Sequence, residues 1–369
     1  MFFLMCWALY RVSACLSSVG PGLAMPSAPC RAPQAPVLLL LVIICTVLGV
    51  GRDGMVNVAR ADAVSPFGPL RLVNQHPLQL LFLQPSPDLA TPVAARHAVL
   101  QVNIALTNTL VQNAQPDFSA KVDLEMVRAV ADLRYGVFAR LEVGLELPFL
   151  YTHGGILDEF IESFEGTFGY LIARRKDQDA REVAYRVLRN NRLSIALHND
   201  AAGIGDAVAK AKFQLLREGL WQPVLSVRGA LKFPTGSTTQ AFGSGAVDGG
   251  LGLLVQKSFG RWTFYLNGDL TLPGDAFAEL DVQPFVGGLV AVEFRLSQAL
   301  SLVGQFRGDS RPFHATIPLL DRRLFGAQFG LNWAITPAVV LQGGLGEDAA
   351  GSGCCASDVS FFLNLAAYL

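Results

Sequence analysis

Apolar and polar positions alternate with period two along much of this chain. In Arg140–Leu147, Leu141, Val143, Leu145 and Leu147 fall on one face. Arg140, Glu142, Gly144 and Glu146 fall on the other. Such alternation predicts a β-strand with one apolar and one polar side. It recurs at 100–109, 119–134, 207–215, 225–233, 247–258, 262–272, 284–296, 299–308, 325–333, 338–347 and 358–369, giving about twelve strands. A further hairpin over Phe168–Arg174 and Glu182–His198 would make fourteen. In 119–134 the phase slips near Val127, as a β-bulge would cause. Ahead of these strands, Phe67–Leu83 is a Pro-punctuated lead-in with room for one short strand.

The connections alternate in length. Thr336-Pro337, Ser297-Gln298, Gly260 and 218–221 are tight, whereas 348–357, 309–321, 273–283 and 234–246 are long. Short turns at one end and long loops at the other are the signature of an outer-membrane barrel. A soluble sandwich has no reason to keep its two ends so unlike. The predicted fold is therefore all-β: a transmembrane antiparallel up-and-down β-barrel of about 12 strands (14 possible), with one short helix in a long external loop. Closure leaves no unpaired strand edge in lipid. The apolar faces then meet lipid and the polar faces meet the lumen.

Inward-facing charge follows from that sense. Asp123, Glu125, Glu142 and Glu146 lie on early strands, Lys210, Lys212, Arg228 and Lys232 on middle ones, and Asp269 on the strand at 262–272. Two readings stand. Opposed rows set a field across a pore, or the charges pair and fill a plugged interior. The helix is predicted over Ile156–Glu165, where Ile156, Leu157, Phe160, Ile161 and Phe164 form a stripe. Its other face carries Asp158, Glu159, Glu162 and Glu165. Such a helix packs over the rim or folds inward as a constriction.

Composition adds the address. Val37–Val50 is a 14-residue apolar run, too short to span a bilayer and suited to a secretory signal. Ala61-Asp62-Ala63 is an A-x-A cleavage site, so 1–63 is read as a targeting segment and 64–369 as the barrel. The stretch between run and site is long, and Met25 is an alternative start. Cleavage removes four Arg and two Asp, taking the net charge from −1 to −3 (25 basic against 28 acidic residues). That balance gives no case for nucleic acid. Of six Cys, only the adjacent Cys354 and Cys355 remain, which makes no disulfide scaffold. No motif predicts a metal or cofactor. His153 and Ser163 lie near the predicted rim, but no G-x-S-x-G elbow supports a lipid hydrolase.

Several segments together resemble a family of bacterial outer-membrane barrel proteins known only as a domain of unknown function. They are Asn74-Gln75-His76-Pro77-Leu78, Gly154–Asp158 through Phe168-Gly169, Gly203-Ile204-Gly205-Asp206, Leu231–Gly236, Gly243-Ser244-Gly245 with Asp248, and Gly346-Glu347-Asp348. Lys232-Phe233-Pro234-Thr235-Gly236 is also similar to barrels assigned to transport in aromatic-degradation pathways. The resemblance implies fold and location and brings no catalytic residues. The chain departs from the usual aromatic barrel-assembly signal by ending Tyr368-Leu369. The expected function is a channel or facilitator for small solutes. A non-conducting structural barrel and a lipid-modifying enzyme are the alternatives. Expected partners are outer-membrane lipid, the barrel-assembly machinery and a small solute.

Overall fold

The computed structural model describes residues 66–115, 118–154, 184–189, 192–197, 200–275, 282–313, 324–348 and 359–369. The signal region, the predicted helix with Asp158, Glu159, Glu162 and Glu165, Ser163, and the Cys354-Cys355 pair lie outside them.

Three long strands come first: β1 (Ala98–Gln115), β2 (Phe118–Phe138) and β3 (Leu141–His153). Three short ones follow: β4 (Ala184–Arg189), β5 (Arg192–Leu197) and β6 (Ala201–Ile204). Nine more complete the set: β7 (Ala207–Leu216), β8 (Val224–Phe233), β9 (Asp248–Phe259), β10 (Trp262–Leu272), β11 (Phe285–Arg295), β12 (Leu300–Asp309), β13 (Leu324–Thr336), β14 (Val339–Asp348) and β15 (Val359–Tyr368). All strand pairings are antiparallel, and β1 pairs with both β2 and β15, closing the sheet. The closed wall has twelve strands, β1–β3 and β7–β15. The hairpin expected at 182–198 exists as β4 and β5, but it pairs on the upper part of β2 and leaves the barrel at twelve. The β6 strand continues the β3 pairing above Pro148, one residue out of step with β7.

Side-chain polarity is inverted relative to a soluble protein. Leu145, Leu251, Val290 and Phe329 are among the most exposed residues, while Glu142, Lys212, Asn267 and Gln342 are buried. On β3, Val143 and Leu145 point outward and Glu142 and Glu146 inward, as the alternation predicts. An apolar exterior over a polar interior is what a lipid-facing barrel requires.

Two local expectations are corrected. No slip occurs at Val127, because β2 holds an unbroken register with β1 and with β3 through that point. Val122, Leu124 and Met126 face inward and are buried; the lumen at their level is apolar, so the sense of the alternation reverses and mimics a bulge. Asp123 and Glu125 are consequently on the opposite face of β2 from Asp132 and Arg134. Second, no strand forms in Phe67–Leu83. That segment runs inside the barrel.

Candidate functional site

A lumen lined with polar side chains must hold water, pair its groups internally, or receive another part of the chain. Here residues 67–97 enter it as a re-entrant hairpin. The ascending arm starts at the tight-turn end, where Phe67 packs with Val99, Val340 and Ala366. It climbs through Leu70 and Leu72, both buried. The tip is a helical turn at the loop end. Asn74 Oδ1 accepts from His76 N at 2.8 Å, Pro77 opens the turn, and Gln79 and Leu80 donate to His76 O at 2.9 and 3.1 Å. Pro suits that first position because it has no N–H to satisfy there. This explains Asn74-Gln75-His76-Pro77-Leu78 as a folding motif. Phe82 then seats edge-on against Phe285 and Phe313. The descending arm returns past Ser86, Asp88 and Ala90 to Arg96, whose N donates to Gly136 O at 2.6 Å, and β1 begins.

A buried segment outside any sheet must find a partner for each backbone group. The inward side chains of the wall supply them. Against the ascending arm they are carboxamides and one carboxylate. Glu293 accepts from Phe67 N and Gly68 N (3.1 and 3.2 Å) and from the Tyr265 hydroxyl. Gln305 both accepts from Leu70 N (2.8 Å) and donates to Leu70 O (2.9 Å). Asn332, Gln342 and Gln328 donate to the carbonyls of Gly68, Pro69 and Leu72. Asn103 donates to Arg71 O at 3.0 Å.

Against the descending arm the wall is ionic, and seven of the predicted inward charges are found there; Asp123 and Glu125, on the other face of β2, are not. Asp88 is the hub. It meets Arg71 of the other arm at 2.6 Å, Lys212 of β7 at 2.8 Å and Arg134 of β2 at 3.1 Å. Lys212 also lies 3.2 Å from Glu142, which accepts from Val93 N at 2.7 Å. Lys210 joins Asp132 at 2.8 Å and Glu146. Arg228 grips Asp269 bidentately at 2.6 and 2.7 Å and donates to Ser86 O. Gly252 makes room for that pair; a Cβ there would collide with Asp269 and Arg228. Three cations around one buried carboxylate compensate its loss of water.

Lys232 closes the loop end of this half. Its Nζ donates to Leu81 O, Asp206 and Ser244 Oγ (2.7, 2.7 and 2.6 Å) and lies 3.2 Å from Asp248. Asp206 accepts from Gly236 N and Ser244 N, and Asp248 accepts from Leu83 N. A Cβ at Gly243 would strike Asp206. Three separate sequence motifs, at 203–206, 231–236 and 243–248, thus converge on one buried ammonium that binds the hairpin.

The seven inward residues singled out from sequence, Glu142, Glu146, Lys210, Lys212, Arg228, Lys232 and Asp269, all point into the barrel, where they pair. Sequence reasoning missed their common partner, the hairpin, and with it Asp88 and Arg71. It also missed Arg128, inward on β2. His153 lies 3.8 Å from Glu125, away from the hairpin. Among the described residues, no cluster of three His, Cys, Asp or Glu has the geometry of a metal site.

In solved structures the fold is similar to the COG4313 outer membrane channel from Pseudomonas putida F1, with a TM-score of 0.52 and 18% identity over 78% of this chain and 100% of that one. More remote in shape are the NanC porin (TM-score 0.42, 7% identity, 73% of this chain and 100% of that one) and the P. putida toluene transporter TodX (0.36, 9%, 74% and 89%). At these identities the likeness is one of fold. No curated protein matches the chain in sequence. A family profile, however, covers residues 52–366, and by that match the chain belongs to DUF3187, a family of proteins of unknown function.

Proposed function

We propose that this protein is an outer-membrane channel for small solutes whose pathway is the barrel lumen, occupied at rest by the hairpin 67–97. One observation carries the reading: the lumen is occupied by a separate segment of the chain, held by polar wall side chains. Small wall residues such as Gly250, Gly252, Gly330 and Gly346 abut hairpin or ionic side chains, so withdrawing the hairpin would leave an open bore. The fold's likeness to an outer-membrane channel supports the same reading. Export by the N-terminal signal with cleavage near Ala63, insertion through the barrel-assembly machinery, and tight turns facing the periplasm complete it.

The second reading, a non-conducting structural barrel, is favoured by the close fit of hairpin to wall. Planar-bilayer recording separates the two. The full chain is expected to give rare, small openings and a variant lacking 67–92 large, steady ones. A folded, heat-modifiable deletion variant that stays silent would overturn the channel.

A further inference from the structure

We infer that Arg128 is the anion-binding residue of a site for small organic monocarboxylates, at the loop side of the hairpin tip. Arg128 lies inward on β2, directly across from Leu150 on β3. The other lumen cations described above, Arg71, Arg134, Lys210, Lys212, Arg228 and Lys232, each have a carboxylate within 3.2 Å, as does Arg307. Arg128 is the exception. Among the described residues its guanidinium has no hydrogen bond and no carboxylate within 4.0 Å. Glu146, which shares its cavity, is taken by Lys210. A guanidinium carries five donors in a planar fork, and the described residues supply no acceptor for those of the half-buried Arg128. A carboxylate matches that fork bidentately.

The rest of the cavity defines the ligand. Leu80, Phe82, Pro148, Leu150 and Phe242 supply an apolar wall. An adjoining apolar pocket shares Leu80, Leu150 and Phe242 and extends past Pro77, Leu124 and Met126. Inorganic anions gain nothing from such walls, whereas a short hydrocarbon body does. Glu146, Asp206 and Lys232 also line the space; Glu146 pairs with Lys210 and Asp206 with Lys232, so Arg128 is left with a single positive charge that one carboxylate balances. Gln84 Oε1 lies buried without a partner beside it; a ligand hydroxyl would satisfy it. The ligand class is therefore a monoanion with one carboxylate and a small apolar body. This would place its binding against the residues that form the hairpin tip, where occupancy bears directly on whether the tip stays seated.

The inference rests on the lumen as a solute pathway, yet it is tested without conductance. Carboxyl-labelled butyrate is titrated into the purified full-length barrel and followed by NMR, with 1-butanol and chloride as controls. Saturable butyrate binding is expected, with chloride unable to compete at equal concentration. Arg128→Gln should raise the butyrate Kd by about tenfold to 100-fold and leave 1-butanol unaffected. Wild-type affinity in folded Arg128→Gln, or equal competition by chloride, would overturn the site. If Arg128→Gln does not fold, Leu150→Trp fills the apolar wall with the charge kept, and retained butyrate binding there overturns it equally. Arg128-dependent binding in a barrel that never conducts would remove the channel and leave the site. Conductance without butyrate binding would do the reverse.

Discussion

The two halves of the barrel wall hold the same hairpin by different chemistry. Strands β12–β14 and β1 meet the ascending arm with neutral amides, one side chain to one or two backbone groups. Strands β2, β3 and β7–β10 meet the descending arm with a charge network in which Asp88 serves three cations. Amide contacts are neutral, so losing one strands no buried charge, although Gln305 also donates to Gln328. Network contacts are mutual, so losing the hub strands several buried charges together. On the proposed channel reading, the hairpin would be released at the ionic half and guided back by the amide half.

Breaking the hub is the largest test of that contrast. Asp88→Ala should cost about 3–5 kcal/mol by leaving buried cations unpaired, seen as trypsin cleavage at the now accessible Arg71 and as raised conductance. Lys232→Met strands Asp206 and Asp248, whose remaining partners are backbone N–H groups. A loss of about 3 kcal/mol is expected, confined to the tip, so cleavage at Arg71 should rise less than in Asp88→Ala. In the amide half, Gln305→Ala leaves Leu70 N and O unmet and should cost about 1–3 kcal/mol, with conductance little changed. Equal effects of Asp88→Ala and Gln305→Ala would erase the distinction. The smallest effect belongs outside, where Val290→Ala on the lipid face should shift stability by about 0.5 kcal/mol or less.

The wall was legible in the sequence because lipid and lumen impose opposite demands on successive residues. Tyr265, Asn267 and Asp269 could be placed inward from period two alone. The hairpin was not legible, because it is recognised mainly through its backbone. Gln305, Gln328 and Asn332 look the same on paper whether they bind water or a carbonyl. Arg128 was hidden by its neighbours: Val122, Leu124 and Met126 share its face, and apolar residues on a barrel strand read as lipid-facing until the apolar tip at Pro77 and Leu80 is known. The Lys232 cluster was visible as three motifs, but their meeting point depends on loop closure over 26 to 38 residues, between Asp206 and Lys232 and between Asp206 and Ser244.

The hairpin leads directly into β1, and β1 is also the seam strand, joined to the last strand from Val99–Tyr368 to Asn108–Val359. The first-made part of the barrel domain is thus enclosed by the last-made part. Gln342 reaches Pro69 across 273 residues of sequence, so the contacts that seat the ascending arm need the last strands of the wall. Seam closure and internal filling become one cooperative event in biogenesis. A chain arrested before β15 is added would lack both the closed seam and β1's second partner, giving quality control a single state to recognise.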